Sequence, residues 1–190
     1  MARHAVFGPL FEDLAALQEN LIVSHAVGVG DPLPVKDVRL MMLLRANILA
    51  MGYSGVRPEI LDLLVQMINK NVTPLVPAKG SVGASGDLAP LAHLALTMIG
   101  KGHAYYHGEL ISSENALSES GLKPVRLEAK EGIALINGTQ MMLSLASHAI
   151  LKFDNLIKVA DIAGAMSIEG DRASLRPFDE RIHKLRPHPG

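Results

Sequence analysis

The stretch Lys79-Gly80-Ser81-Val82-Gly83-Ala84-Ser85-Gly86-Asp87-Leu88-Ala89-Pro90 gathers glycines, hydroxyls and a lysine immediately ahead of a helix-like pattern. Glycines in front of a helix can cradle a phosphate with backbone N–H groups, yet the Gly-Lys-Ser/Thr ending of a P-loop is absent and no convincing strand precedes the stretch. A Gly-x-Ser-x-Gly nucleophile elbow fails because Asp87 stands where the second glycine belongs. Ser85 with Lys79 would suit a serine amidohydrolase that acylates with an activated ester. The plainest alternative is a glycine-rich loop without chemistry.

Two further segments place polar groups beside flexible backbone. Asn20-Leu-Ile-Val-Ser24-His25-Ala-Val-Gly28-Val-Gly30 puts Ser24 and His25 at the end of an apolar-periodic run, where a histidine ordinarily donates one ring nitrogen to a carbonyl. Glu131-Gly132-Ile-Ala-Leu-Ile-Asn137-Gly138-Thr139 precedes the longest periodic run, and an asparagine before glycine at such a start is ordinarily a turn or cap residue. Tyr53, Tyr105, Tyr106, His93 and His107 are available acids or bases, but no motif around them assigns a role.

The elements that must hold these residues are helical. Leu10, Leu14, Leu17 and Leu21 recur at helical spacing and predict a helix over about 9–26, ended by Gly28, Gly30, Pro32 and Pro34. Val38, Met41, Leu44, Ile48 and Met51 line a second helix over about 36–51, with Gly52 as its C-terminal cap. Pro58 suits the first turn of a third, through Ile60, Leu61, Leu64, Met67 and Ile68. Between about 71 and 87, Pro74 and Pro77 stiffen the backbone while Gly80, Gly83 and Gly86 free it, which predicts a loop of unusual conformation. Asp87 is expected to cap the following helix, with Pro90 in its first turn and Gly100 past its last. Residues 104–111 read as a small, decorative hairpin turning at His107-Gly108. From Thr139, Met142, Leu143, Ala146, Ile150, Phe153, Ile157 and Ala160 keep helical phase for about 25 residues or more, against an average helix of about 11 or 12. A helix of that length belongs to a bundle. The ending Arg186-Pro187-His188-Pro189-Gly190 has no periodicity. The expected fold is all-α: one helical domain over 1–190, a bundle with long helices and a small β-hairpin.

Composition narrows the partners. Lys plus Arg (18) and Asp plus Glu (19) nearly cancel, so no global field recruits nucleic acid or an anionic membrane. No run of about 18 apolar residues could span a bilayer, and no basic, apolar leader precedes the first helix. With no cysteine there are no disulfides, thiolate metal sites or cysteine nucleophile, which fits a reducing compartment and an expected cytoplasmic location. Only 19% of residues are charged, below the typical quarter or so. Helices this apolar are buried on more than one side, either in a large fold or against each other in an oligomer, and self-association is expected.

Ala84-Ser85-Gly86-Asp87-Leu88-Ala89-Pro90 resembles the signature of the aromatic amino acid ammonia-lyases and aminomutases, and essentially the whole chain is similar to the central part of such enzymes. The resemblance implies that Ala84-Ser85-Gly86 cyclises to 4-methylidene-imidazole-5-one (MIO), with no metal. The Gly86 amide nitrogen would attack the Ala84 carbonyl, glycine being the least hindered residue for so tight a bend. Ser85 is required because its hydroxyl is eliminated, and the nearby helix N-terminus would stabilise negative charge on the ring oxygen. In the family the pair at Ser24 and His25 helps select the substrate side chain; Ser-His resembles the histidine enzymes, whereas tyrosine-selective relatives tend to carry histidine one position earlier. Asn137 is implied to contact the MIO oxygen and the substrate carboxylate, which one amide can serve because it both donates and accepts. Pro177-Phe178-Asp179-Glu180-Arg181-Ile182-His183 also resembles the histidine enzymes and is read as structural.

The resemblance therefore implies a carbon–nitrogen lyase of histidine catabolism, converting L-histidine to urocanate and ammonia as a homotetramer with sites shared between subunits. Family members also carry an upstream Tyr-Gly-x-Asn-Thr-Gly-Phe-Gly segment whose tyrosine is the favoured general base; Phe7-Gly8, preceded by Val6, is what this sequence holds of it. Downstream motifs supplying glutamine, tyrosine, arginine and glutamate have no counterpart before Gly190. A truncated core of the ammonia-lyase fold is thus expected to form MIO yet to be a poor or inactive lyase on its own. A non-catalytic or engineered helical module that keeps the loop as scaffold, and a related ammonia-lyase or aminomutase, are the alternatives.

Overall fold

The Gly and Pro clusters that interrupt the apolar periodicity become helix boundaries. The structure is a computed structural model that describes the backbone of residues 2–188 and the side chains of residues 14–188. The chain divides into two units, Met1–Ala146 and Ser147–Gly190. In the first, α1 (Ala2–His25), α2 (Val35–Ala50) and α3 (Pro58–Asn69) follow the expected order. Gly52 leaves α2 at φ +80°, and Pro58 opens α3, where its missing N–H costs no helical bond.

The buried faces differ in phase from the apolar count. On α2 the core side holds Val38, Met41, Met42, Arg45, Ala46 and Leu49, while Ile48 and Met51 of the expected stripe are exposed. Arg45 occupies a core position that a hydrophobicity count skips, and skipping it rotates the stripe. On α1, Leu17 is exposed whereas Gln18 and Ile22 are buried. Leu10, Val6 and Phe7-Gly8 lie outside the described side chains, as Pro189 and Gly190 lie outside the described residues. α4 (Leu88–Met98) is the central helix: every residue except Leu88, His93 and Leu96 is buried, and it packs on α1 and on α6 (Glu131–Ile136). Each fully buried leucine there contributes about 1.5–3 kcal/mol.

The segment before α4 is less free than a loop. β1 (Val29–Pro32) pairs antiparallel with β3 (Pro77–Lys79), so the cluster expected only to end α1 also makes a strand. β2 (Thr73–Pro74) adds to the hairpin of β4 (His103–Tyr106) and β5 (Glu109–Ser112), in the order β2-β4-β5. The hairpin turns at His107 (φ 50°) and Gly108 (φ 84°) as expected, two left-handed residues whose twist matches paired strands. It is not decoration, because it anchors the entry to the glycine-rich loop. Pro74 and Pro77 are tolerated because both sit on edge strands, where no further ladder needs their N–H.

Two short helices lie outside the elements that periodicity predicts: α5 (Ser113–Glu119), capped by Ser112 Oγ accepting the Asn115 N–H at 3.2 Å, and α6. Helices dominate and the strands are short, so the all-α class with a hairpin holds. The long α7 (Gln140–Gly170) starts where Thr139 indicated and supplies most of the second unit. There a 3-10 turn at Arg176–Phe178 leads to α8 (Glu180–Leu185), capped by Asp179, which accepts the Arg181 N–H at 2.9 Å. Within that unit Ile150, Phe153 and Ile157 of the predicted stripe are exposed.

Candidate active site

α1 ends at His25, and the β1–β3 pairing carries the chain from there to the glycine-rich loop. The two backbones cross closely. A Cβ on Gly28 would lie 3.0 Å from His93 Nε2 and 3.2 Å from Pro77 Cβ, and one on Gly80 would lie 3.1 Å from Gly28 Cα. The result is one cavity of about 240 Å³ lined by Ser24, His25, Ala84, Ser85 and Gly86, together with Val27, Gly80, Val82, Leu88 and Ala89. Five of the six residues singled out in the sequence thus meet in a single cavity. A larger cavity of about 620 Å³ lies at Arg57 and Glu128, but those side chains already pair at 2.9 Å.

His25 Nδ1 lies 2.8 Å from the Leu21 carbonyl and 3.2 Å from Ser24 Oγ, whose hydroxyl donates to the same carbonyl at 3.0 Å. A carbonyl can only accept, so Nδ1 carries hydrogen and Nε2 of the neutral ring is the nitrogen left as an acceptor. The structural habit of a helix-end histidine and a place in the pocket therefore coexist in one side chain.

Asp87 stands at the N-cap position of α4 but its side chain makes no cap there, contrary to expectation. Its Oδ1 accepts from Ser81 Oγ at 2.7 Å, which ties the two ends of the loop around the tripeptide. Its Oδ2 accepts the Met142 N–H at 3.0 Å, capping the first turn of α7 instead. The fully buried carboxylate thus sits where the positive end of a long helix favours it. Ala84 and Ser85 stay exposed at the loop's apex.

Asn137 does not line the cavity; it is the exposed C-cap residue of α6. Its neighbour Gly138 closes on the tripeptide from that side. The Asp87 N–H donates to the Gly138 carbonyl at 2.6 Å, and a Cβ on Gly86, which holds φ +98°, would lie 2.4 Å from that oxygen. Only glycine fits at position 86.

No motif surrounds His93 in the sequence. Its Nε2 accepts the Gly28 N–H at 3.0 Å, pinning the His25 segment to α4, and burial holds its pKa below the ordinary histidine value. A sequence signal did exist, since His93 interrupts a run that is otherwise apolar from Leu88 to Leu96. Glu131, read only as part of a motif, is a buried acceptor. Burial raises its pKa, but hydrogen bonds from Arg57 and from the Arg57 and Glu128 amides outweigh that and hold it below the carboxylate norm. It fixes the start of α6, and through it Asn137. Among the described residues no His, Asp and Glu cluster is arranged to hold a metal ion, and no helix is long and apolar enough to cross a membrane.

The chain is 57% identical over 179 residues to a histidine ammonia-lyase of Natranaerobius thermophilus, covering 94% of this chain and 35% of that protein. Among solved structures, histidine ammonia-lyase from Trypanosoma cruzi superposes with a TM-score of 0.89 at 41% identity, over 95% of this chain and 36% of that one. A phenylalanine aminomutase from Pantoea agglomerans gives a TM-score of 0.88 at 35% identity, over 94% and 34% of the respective chains. The chain therefore spans about a third of the length of these relatives. The family model described as aromatic amino acid lyase matches residues 4–190, and with these identities it settles that the chain belongs to the aromatic amino acid lyase family.

Proposed function

We propose that these 190 residues carry the electrophile-forming segment and part of the substrate pocket of an MIO-dependent histidine ammonia-lyase, which converts L-histidine to urocanate and ammonia. The observation that carries this reading is the cavity in which Ser24 and His25 face Ala84-Ser85-Gly86. The tripeptide suits the group: Gly86 is held where no side chain fits, and Ser85, whose hydroxyl must leave, is exposed at the apex. When formed, MIO supplies an electrophile that makes the substrate amine a leaving group. His25 Nε2 accepts from the substrate imidazole, and Ser24 and Leu21 fix the ring that does so. Asn137, the C-cap residue of α6 beside Gly138, offers its amide to the substrate carboxylate. The reading places the complete protein in the cytoplasm as a homotetramer, supported by the exposed apolar positions on α7. It also places both units in one helical domain of that protein.

Intact mass tests the first step. The wild-type chain should weigh less than its encoded sequence by two waters, and Ser85→Ala should not; equal masses would remove the electrophile. Urocanate formation tests the second. The 190 residues alone should turn over poorly, because the tyrosine base implied by the family is not among them, and general base catalysis commonly contributes about 10²- to 10⁴-fold. Joined to the remaining length of a relative they should prefer histidine over phenylalanine and tyrosine. His25→Leu should move that preference toward an apolar ring, and unchanged selectivity would misplace His25.

A further inference from the structure

Arg45 is 2% exposed, and its described partners are both neutral. One terminal nitrogen donates to Gln140 Oε1 at 3.0 Å and the other to the Ala134 carbonyl, while Nε has no hydrogen-bond partner among the described residues. A cation taken out of water without a counter-ion is costly, and an apolar side chain of similar length would fill the same core position at less cost. Burial lowers its pKa only to about 10, so the guanidinium stays charged at neutral pH.

What the side chain joins explains its presence. Ala134 lies in the last turn of α6, whose carbonyls carry partial negative charge, and Gln140 opens α7. Arg45 thus bridges the two ends of the turn that contains Asn137 and Gly138. It also stands directly behind Gly138, where a Cβ would lie 2.3 Å from its Nη1 and 2.1 Å from Gln140 Oε1. On its opposite side the same glycine presents its carbonyl to the Asp87 N–H and crowds Gly86. Gly138 is therefore in close contact with the guanidinium and with Gly86 at once.

We propose that Arg45 is a positioning residue for closure of the tripeptide ring: by bridging α6 and α7 it holds Gly138 against Gly86 and keeps the tripeptide bent. This rests on the MIO reading above. In the closure, the Gly86 nitrogen bonds to the Ala84 carbonyl carbon. The carbonyl oxygen leaves as water with the Ser85 and Gly86 amide hydrogens, and the Ser85 hydroxyl leaves as a second water with its Cα hydrogen. No oxidant or reductant is required. Arg45 touches none of these atoms and acts through the turn.

The test compares wild type, Arg45→Met, Arg45→Lys and Gln140→Leu by intact mass and by amide exchange at Asp87, with circular dichroism to verify folding. Arg45→Met should keep its helical signal, lose the two-water deficit from most molecules and exchange the Asp87 amide about tenfold faster, the effect of roughly one lost hydrogen bond. Lysine keeps the charge without the planar fork, so Arg45→Lys should form the ring in an intermediate fraction. Gln140→Leu removes one end of the bridge and should act in the same direction as Arg45→Met. If Arg45→Met fails to fold, Arg45→Lys and Gln140→Leu decide. A folded variant with the full mass deficit and wild-type exchange at Asp87 overturns the role of Arg45 alone. A wild-type chain with no deficit overturns the MIO reading and this proposal with it.

Discussion

Replacing His93 by leucine removes the acceptor of the Gly28 N–H, the bond that ties the His25 segment to α4. Leucine fills comparable space, so the change is chiefly polar. A net hydrogen bond is worth about 1 kcal/mol and an unpaired buried donor costs about 1–3 kcal/mol; with Gly28 only half-buried, the expected loss is about 2 kcal/mol. The effect depends on pH. Only a neutral ring can accept at Nε2, and burial depresses the folded pKa below the ordinary value of about 6.5. Between the two values the unfolded chain binds more protons, so stability rises with pH there. The contribution is complete above about 6.5 and is lost as pH falls through the folded value, about 1.4 kcal/mol for each unit of depression. Urea unfolding of wild type and His93→Leu, above and below that interval, reads both terms, and taking the difference cancels the other seven of the eight histidines. Exchange at the Gly28 amide should rise in the variant. Parallel pH dependences for the two proteins, or unchanged exchange at Gly28, would refute the reasoning.

Gly86→Ala puts a Cβ 2.4 Å from the Gly138 carbonyl at a left-handed φ, a strain of at least about 1–3 kcal/mol, and should abolish the mass deficit by pushing the loop off the turn; a full deficit would contradict this. Glu131→Gln should destabilise by about 3 kcal/mol in urea unfolding, at the low end for a broken buried pair because Arg57 is about one-third exposed. The lowered Glu131 pKa gives wild type a contribution present above the ordinary carboxylate range and lost as pH falls through the folded value, so the variant should show a shallower acid slope, and an equal slope would sink the assignment. The chain should self-associate at micromolar concentration in light scattering, and Phe153→Glu with Ile157→Glu should weaken that, both positions being exposed; a monodisperse wild-type monomer would contradict it.

The sequence by itself determined the long helices, their breakers and the tripeptide. Periodicity over many residues and the fixed backbone preferences of Gly and Pro are local properties, so α3, α7 and the turn at His107-Gly108 were legible. So were Ala84, Ser85 and Gly86, whose chemistry lies within adjacent residues. Short elements were not: β2 has two residues and α6 six, too few for any period to show, and each exists because a partner far along the chain completes its hydrogen bonds. Tertiary structure alone decided which helix Asp87 caps, since Met142 is 55 positions away and carries no local sign of the bond. It decided the roles of His93 and Arg45 for the same reason. A polar residue in an apolar helix reads as a surface position until the groups that satisfy it are in place, and for these two they are the Gly28 amide and the α6–α7 turn.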